Sequence, residues 1–306
     1  MTPLEIHVLS DGKPGHENQS YGLAEAIGRL RPVTTSKIHL AGLRGPFSRL
    51  KKAFKETKQL PKPRLLVGAG HAVHPALLAL SRAHDVPCVL MMKPTLPAAL
   101  FDLCLVPEHD LGGREPQDHV IPTIGALNRV PPPDGRPRHG GLILLGGPSS
   151  SHGWDAAEVE AAICEIVSAD KDRPWRVTDS RRSPAGTLDS LTKACPALAA
   201  FPHSETGRDW LPQMLAEAAE VWVTEESISM IYEALSSGAK VGLLPVPATK
   251  KAGRVARGIE RLAEEGFVTR FADWSPSTGL AEAPQVLREA DRCAAIVLER
   301  LISPSS

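Results

Sequence analysis

Cysteine is sparse in this chain, and its spacing excludes two common uses. Cys88, Cys104, Cys164, Cys195 and Cys293 are an odd number, lie far apart and form no C-x-x-C pair. That argues against a disulfide framework or a structural zinc and favours reduced thiols in a cytosol. Long apolar runs are also missing. None approaches the roughly 20 residues that a helix needs to cross a bilayer. The opening "MTPLEIHVLS" has no basic region ahead of an apolar stretch, so it reads as a first strand and not as a signal peptide. Net charge is absent too, with 35 Lys/Arg against 35 Asp/Glu, so nothing in the overall balance calls for a nucleic-acid partner, and none is expected.

What charge there is lies unevenly. Residues 1–138 carry 18 Lys/Arg against 12 Asp/Glu, and the remainder reverses the excess. The basic surplus gathers in residues 44–64, "RGPFSRLKKAFKETKQLPKPR", where Arg44, Arg49, Lys51, Lys52, Lys55, Lys58, Lys62 and Arg64 face only Glu56. Phe47, Leu50 and Phe54 fall at i, i+3 and i+7, which predicts an amphipathic basic helix. Two uses follow. The plainer one is a solvated helix with Phe47 and Phe54 packed inward. The other is an anionic membrane surface as partner, with the protein peripheral on the inner face of the cytoplasmic membrane.

Short apolar runs alternate with helical patterns along the whole length. "EIHVLS" precedes a helix whose Leu23, Ala24, Ile27 and Leu30 share a face; "RLLVGAG" precedes "HPALLALSRAH"; "PCVLMM" and "DLCLVPEH" follow. "VPPPDGRPRHG", Val130 to Gly140, is the best linker. Alternation then restarts with "GLILLGGPSS" and runs through "WRVTDS", "EVWVT", the helix "SISMIYEALSS" stopped by Gly238, and "KVGLLPV", to a long terminal helix. The expected fold is α/β, two Rossmann-like domains facing a central cleft: residues 1–135, then residues 136–306 including the terminal helix.

In such sheets ligands sit at the carboxyl ends of strands, beside helix N-termini that favour anions. Four loops meet that description. In "SDGKPGHENQ", His16 stands where a general base could work, because an imidazole titrates near neutrality; a plain loop histidine is the alternative. In "LLGGPSSSHGWD", Gly146, Gly147 and Ser149 form a possible phosphate cradle, without the Lys-Ser/Thr ending of a P-loop. In "TDSRRSP", Arg181 and Arg182 could clamp a diphosphate. In "VWVTEESISMIYEALSSG", Ser227 and Ser229 lie in the first helical turn, and Ser229 and Glu233 align one turn apart. Glu233 could then accept both hydroxyls of a ribose, or Ser227 could simply cap the helix. On the other side, "GAGHAVHPA" and "MMKPTLP" offer His71 and Lys93 to an acceptor; His71 and His74 lack an evident third partner for a metal.

These blocks together resemble the mitochondrial-fission "elongated mitochondria" protein family of plants and many proteobacteria, over nearly the whole chain. The specific part is V-T-E-x-S-x-S-M-x-x-E-A; the chain departs from the family near "GRDWLPQML" and "MMKPTLP", where Asn-Pro-Tyr and Asn-Pro-Arg would be expected. The family in turn is similar to GT-B glycosyltransferases, among them the lipid-linked GlcNAc transferase of peptidoglycan synthesis. The resemblance implies His16 near the reaction centre and Glu233 on the nucleotide ribose. It also implies Glu226 and Met230 beside the donor, and Gly15, Asn18 and Gln19 on the acceptor side. The implied activity is metal-independent sugar transfer from a nucleotide sugar, with no cofactor; no obvious D-x-D motif stands out. The alternative is a non-catalytic adaptor like the plant relatives. An epimerase working through a bound dinucleotide is disfavoured: no G-x-G-x-x-G follows the first strand, and neither Tyr21 nor Tyr232 has a Lys four residues on.

Overall fold

The computed structural model describes residues 2–112, 115–207, 209–249 and 253–302, and among these it leaves the side chains of residues 254 and 255 undescribed. The chain divides into two compact units, Met1–Arg129 with Arg288–Ser306, and Val130–Leu287. Each is an α/β sandwich around one parallel sheet.

The first unit begins with β1 (Leu4–Ser10), α1 (Pro14–Leu30) and β2 (Val33–His39). It continues through α2 (Pro46–Thr57), β3 (Leu65–Ala69), α3 (His74–His84) and β4 (Cys88–Met91) to β5 (Leu103–Pro107), α4 (Glu108–Leu111) and β6 (Val120–Thr123). Its sheet runs β2-β1-β3-β4-β5-β6, every neighbouring pair parallel. β1, β3, β4 and β5 are buried along their full length, as strands covered by helices on both faces must be. β2, at the edge, sets four consecutive polar residues, Thr34 to Lys37, between Val33 and Ile38 and is mostly accessible. α1 enters on Pro14, whose fixed φ suits the first helical position. Its Leu23, Ala24 and Ile27 are buried, but Leu30, expected on the same face, ends in solvent on the last turn.

The second unit contains β7 (Gly140–Leu144), α5 (Ala156–Ala169), β8 (Trp175–Thr178), α6 (Thr187–Ala194), β9 (Ala199–Phe201) and α7 (Trp210–Glu217). It closes with β10 (Ala218–Thr224), α8 (Ile228–Ser237), β11 (Lys240–Leu244), α9 (Gly253–Glu264) and β12 (Thr269–Arg270). Here the order is β12-β11-β10-β7-β8-β9, again all parallel. Gly141 and Gly242 make room for two indoles: a Cβ on either would lie 2.3 Å from Trp175 or 2.4 Å from Trp222. α8 stops at Gly238 in the left-handed conformation, φ 77°, as its position in the sequence predicts.

The last helix, α10 (Glu289–Leu301), corrects the expected division of the chain. It belongs to the first unit, not the second. Its Ala290, Cys293, Ala294 and Val297 join the core built by Leu4, Ile6, Leu23 and Ile27. Arg29 pairs with Asp291 at 2.6 Å, and Glu289 accepts the backbone N–H of Ile124 at 2.9 Å. Burial of an apolar stripe decided the placement.

Candidate functional site

Both sheets reverse their winding at one point, and there the crevice at the carboxyl ends of the strands opens. In the first unit β2 lies on one side of β1 and β3 on the other, so the reversal is between β1 and β3. In the second, β8 and β9 extend one way from β7 while β10 begins the other, so it is between β7 and β10. The named loops after β1, β3, β7 and β10 fall at these points, while "TDSRRSP" and "MMKPTLP" follow β8 and β4, one strand further out.

At the first, His16 occupies the opening turn of α1 and its ring lies over Gly70, just past β3. A Cβ on Gly70 would come within 2.3 Å of His16 Cε1, and the residue has φ +80°, so glycine is required twice over. His16 Nδ1 sits 3.1 and 3.0 Å from the two carboxylate oxygens of Asp11. Asp11 is nearly buried and also accepts the backbone N–H of Lys13. A carboxylate on Nδ1 holds the proton there and leaves Nε2 with its lone pair; among the described residues Nε2 makes no hydrogen bond. Asp11 was not singled out from the sequence. An acid five residues before a histidine pairs with it only because the Gly12 turn folds the loop back.

Around this pair, Ser10 Oγ donates to Glu17, which also meets Lys37 Nζ at 2.5 Å. Gly15 is exposed, Asn18 half-buried and Gln19 buried, with Gln19 Nε2 donating to the Gly15 carbonyl at 3.4 Å. His71 is exposed just after Gly70, and Lys93, after β4, donates to the Asp110 carbonyl at 2.8 Å. Of the acceptor-side residues, then, His71 lies closest in the chain to the His16 seat, and Lys93 is tied to another loop. His74 is buried against Phe101, and burial, with His71 adding repulsion, pushes its imidazole down.

At the second reversal, the expected phosphate cradle is already filled from within. Gly146 N–H donates to Thr224 Oγ1 at 2.8 Å and Gly147 N–H to Glu226 Oε1 at 2.6 Å. Ser149 N–H is spent on the His152 carbonyl. Gly146 and Gly147 therefore serve by being small: a Cβ on Gly146 would fall 1.7 Å from Glu226 Oε1, and one on Gly147 2.2 Å from the Arg182 carbonyl. The Glu226 side chain is fully buried, and among the described residues its Oε2 has no hydrogen-bond partner. Arg182 reaches the Gly147 carbonyl at 3.2 Å and stands 3.8 Å from Glu226, while Arg181 is exposed. Burial pushes the Glu225 carboxyl up, Arg270 opposes this and Glu226 reinforces it. His152 is driven down by burial against the pull of Glu226.

α8 leads away from this loop. Ser227 holds its N-cap position without a side-chain cap bond, so the first-turn N–H groups are not met by the serine hydroxyl. Ser229 is exposed, with Met230 and Glu233 half-buried beside it, which leaves an open helix N-terminus suited to an anion. One D-x-D spacing escaped the sequence reading: Asp170-Lys171-Asp172. It lies just past α5, and Asp170 is engaged by Arg173 at 2.9 Å. Among the described residues no three His, Cys, Asp or Glu side chains gather as a metal site. Burial lifts the Cys88 thiol to about 11 and those of Cys104 and Cys293 to about 12, which rules them out as nucleophiles near neutrality.

The profile of the mitochondrial fission ELM1 family matches residues 14–301, nearly the entire chain. The chain belongs to that family. No curated protein matches it significantly. Among solved structures, the family member is similar to the UDP-GlcNAc 2-epimerase of Neisseria meningitidis bound to UDP-GlcNAc. That likeness has TM-score 0.60 and 9% identity and covers 98% of this chain and 100% of the other. A second is the UDP-GlcNAc 2-epimerase of Methanocaldococcus jannaschii, TM-score 0.58 and 10% identity, covering 97% and 100%. A third is the glycosyltransferase SnogD of Streptomyces nogalater, TM-score 0.50 and 13% identity, covering 99% and 96%. At these identities the likeness establishes the fold, two Rossmann-like units of the GT-B-like class, and nothing finer.

Proposed function

We propose that this ELM1-family protein is a metal-independent glycosyltransferase. It moves a sugar from a nucleotide-diphosphate sugar to a hydroxyl on a cell-envelope or lipid-linked acceptor. The observation that carries the reading is the Asp11–His16 pair at the β1/β3 reversal, with Nδ1 committed at 3.0 Å and Nε2 available. Nε2 takes the proton of the acceptor hydroxyl as its oxygen bonds to the anomeric carbon. The bond to the nucleotide diphosphate breaks in the same step and the diphosphate leaves with the electron pair, an inverting displacement. Asp11 holds the ring and stabilises the imidazolium that forms. On the donor side, the uncapped start of α8 and the Arg181–Arg182 loop offset the diphosphate charge, and Glu233 binds the ribose. That the neighbouring folds include an epimerase solved with UDP-GlcNAc supports a nucleotide sugar as ligand.

The test is calorimetric titration with UDP, GDP, CDP and ADP on the native protein, Glu233→Ala and His16→Ala. One nucleotide should bind, more weakly to Glu233→Ala and equally to His16→Ala, while His16→Ala loses sugar transfer. Isomerised nucleotide sugar in place of free nucleotide would convert the reading to an epimerase. A second reading, a non-catalytic adaptor, is favoured by the family's description as a mitochondrial fission family. Absence of binding by all four nucleotides to folded protein would put it first.

A further inference from the structure

α2 presents a stripe to solvent that neither the first unit's core nor the proposed transfer reaction uses. Its inner face is settled: Ala53 and Thr57 are buried, Leu50 is half-buried, and Phe54 packs against the core with Leu9, Leu66 and Leu77. Residues 47, 51, 55 and 58 follow at steps of four, four and three, so Phe47, Lys51, Lys55 and Lys58 line up on an arc that flanks the buried face, with Phe47 at nearly the helical angle of Phe54 but two turns nearer the helix start. Phe47 is 84% exposed, which overturns the expectation that it packs inward. The helix enters at Gly45–Pro46, and its first turn places residue 47 beyond the reach of the core that holds Phe54.

The stripe carries no acid. Glu56, the one acidic residue of α2, is turned aside: it pairs with Lys52 at 3.3 Å and accepts the His39 backbone N–H at 2.7 Å. Arg44, Lys62 and Arg64 extend the positive surface at either end, all exposed. Lys51, Lys52, Lys55, Ser48 and Gln59 edge an open surface depression of about 450 Å³, and Glu56 is its one acidic lining residue.

From this we propose that α2 docks the protein on an anionic lipid bilayer. Phe47 inserts at the level of the acyl boundary, and Lys51, Lys55 and Lys58 reach the headgroup phosphates. A lone exposed aromatic leading a cationic row suits an interface where the ring is buried and the ammonium groups stay wet. A protein partner would need roughly 800 Å² of complementary patch, and one phenylalanine among lysines does not supply it. Because the helix's apolar face is spent on the core, attachment is mainly electrostatic and reversible. It rests on one ring and a polybasic segment together. The proposal stands apart from the nucleotide reading, since α2 shares no residue with either strand reversal.

The experiment is co-sedimentation of the full chain with vesicles of phosphatidylglycerol and phosphatidylcholine, against phosphatidylcholine alone, over a salt series. Native protein should bind only the anionic vesicles and release as salt rises. At about 1 kcal/mol per basic residue, the triple variant Lys51→Gln/Lys55→Gln/Lys58→Gln should bind on the order of 100-fold more weakly. Phe47→Ser should lose about tenfold while keeping the salt dependence. Both variants alter exposed side chains, so unchanged thermal melts certify the fold. Equal binding to neutral vesicles, no loss in either variant, or binding to single-stranded RNA in place of vesicles would each overturn the proposal.

Discussion

Replacing Gly70 by alanine tests the seat of His16 directly, because the structure separates two costs. The first is backbone: at φ 80° and ψ 162°, a region open almost only to glycine, an L-residue pays about 1–3 kcal/mol. The second is contact: the new methyl would lie 2.3 Å from His16 Cε1 and 2.6 Å from Nδ1, so the ring must move or the backbone must shift. Overpacking of this kind costs about 1–3 kcal/mol more. Gly45 is the matched control, with φ 80° and ψ 158° against 80° and 162° at Gly70 and nothing within 4 Å of an added Cβ, so Gly45→Ala carries the backbone cost alone. Stability should therefore fall by about 1–3 kcal/mol in Gly45→Ala and about 2–6 in Gly70→Ala. In a His16→Ala background the Gly70→Ala cost should shrink to the control's value, the signature of a coupled pair. The assay is urea unfolding followed by far-UV circular dichroism. Trp154, Trp175, Trp210, Trp222 and Trp274 all lie in the second unit, so fluorescence would miss a change confined to the first. If Gly70→Ala costs no more than Gly45→Ala, or its cost survives removal of the ring, His16 does not rest where the structure puts it.

Two further expectations concern other buried groups. Thr224→Val keeps the shape of the β10 end but strips the acceptor from Gly146 N–H, and should destabilise the second unit by about 1–3 kcal/mol, read by tryptophan fluorescence in urea. His7 and His74, both buried, are held below the ordinary imidazole value of 6.5, chiefly by burial. The unfolded chain therefore binds more protons than the native one as pH falls through about 6.5. Stability should decline below that pH by about 1.4 kcal/mol per unit for each group, until its native value is reached. A series of thermal melts between neutrality and mild acid measures this, and His7→Leu should show a shallower decline than the native chain.

The alternation of elements was legible because buried parallel strands are near-continuous apolar runs, as in "RLLVGAG", and α3 matches its sequence pattern end to end. β2 was not, since an edge strand reading Val-Thr-Thr-Ser-Lys-Ile-His carries no such run. The partner of α10 was invisible for another reason: its apolar stripe announces burial without saying against what. At the sites, the loops were found because glycines after strands mark reversals. Their internal wiring was not, because Asp11 on His16 and Glu226 on Gly147 depend on loop geometry that spacing does not encode. The glycine loop looked like a ring of free donors, and the buried carboxylate that occupies it sits about 80 residues away in the chain. The exposure of Phe47 was missed because periodicity gives a face but not how far along the helix the core extends.

The return of α10 to the first unit means that the second is an insertion within it. A ribosome delivers the chain from the N-terminus, so the continuous stretch Val130–Leu287 leaves the exit tunnel whole before the segment that closes the core around Leu23 and Ile27. The later-made unit is thus the first that can finish folding. The earlier-made one waits, its α1 flank bare until the last helix emerges, and it is that flank which a holding chaperone would have to cover.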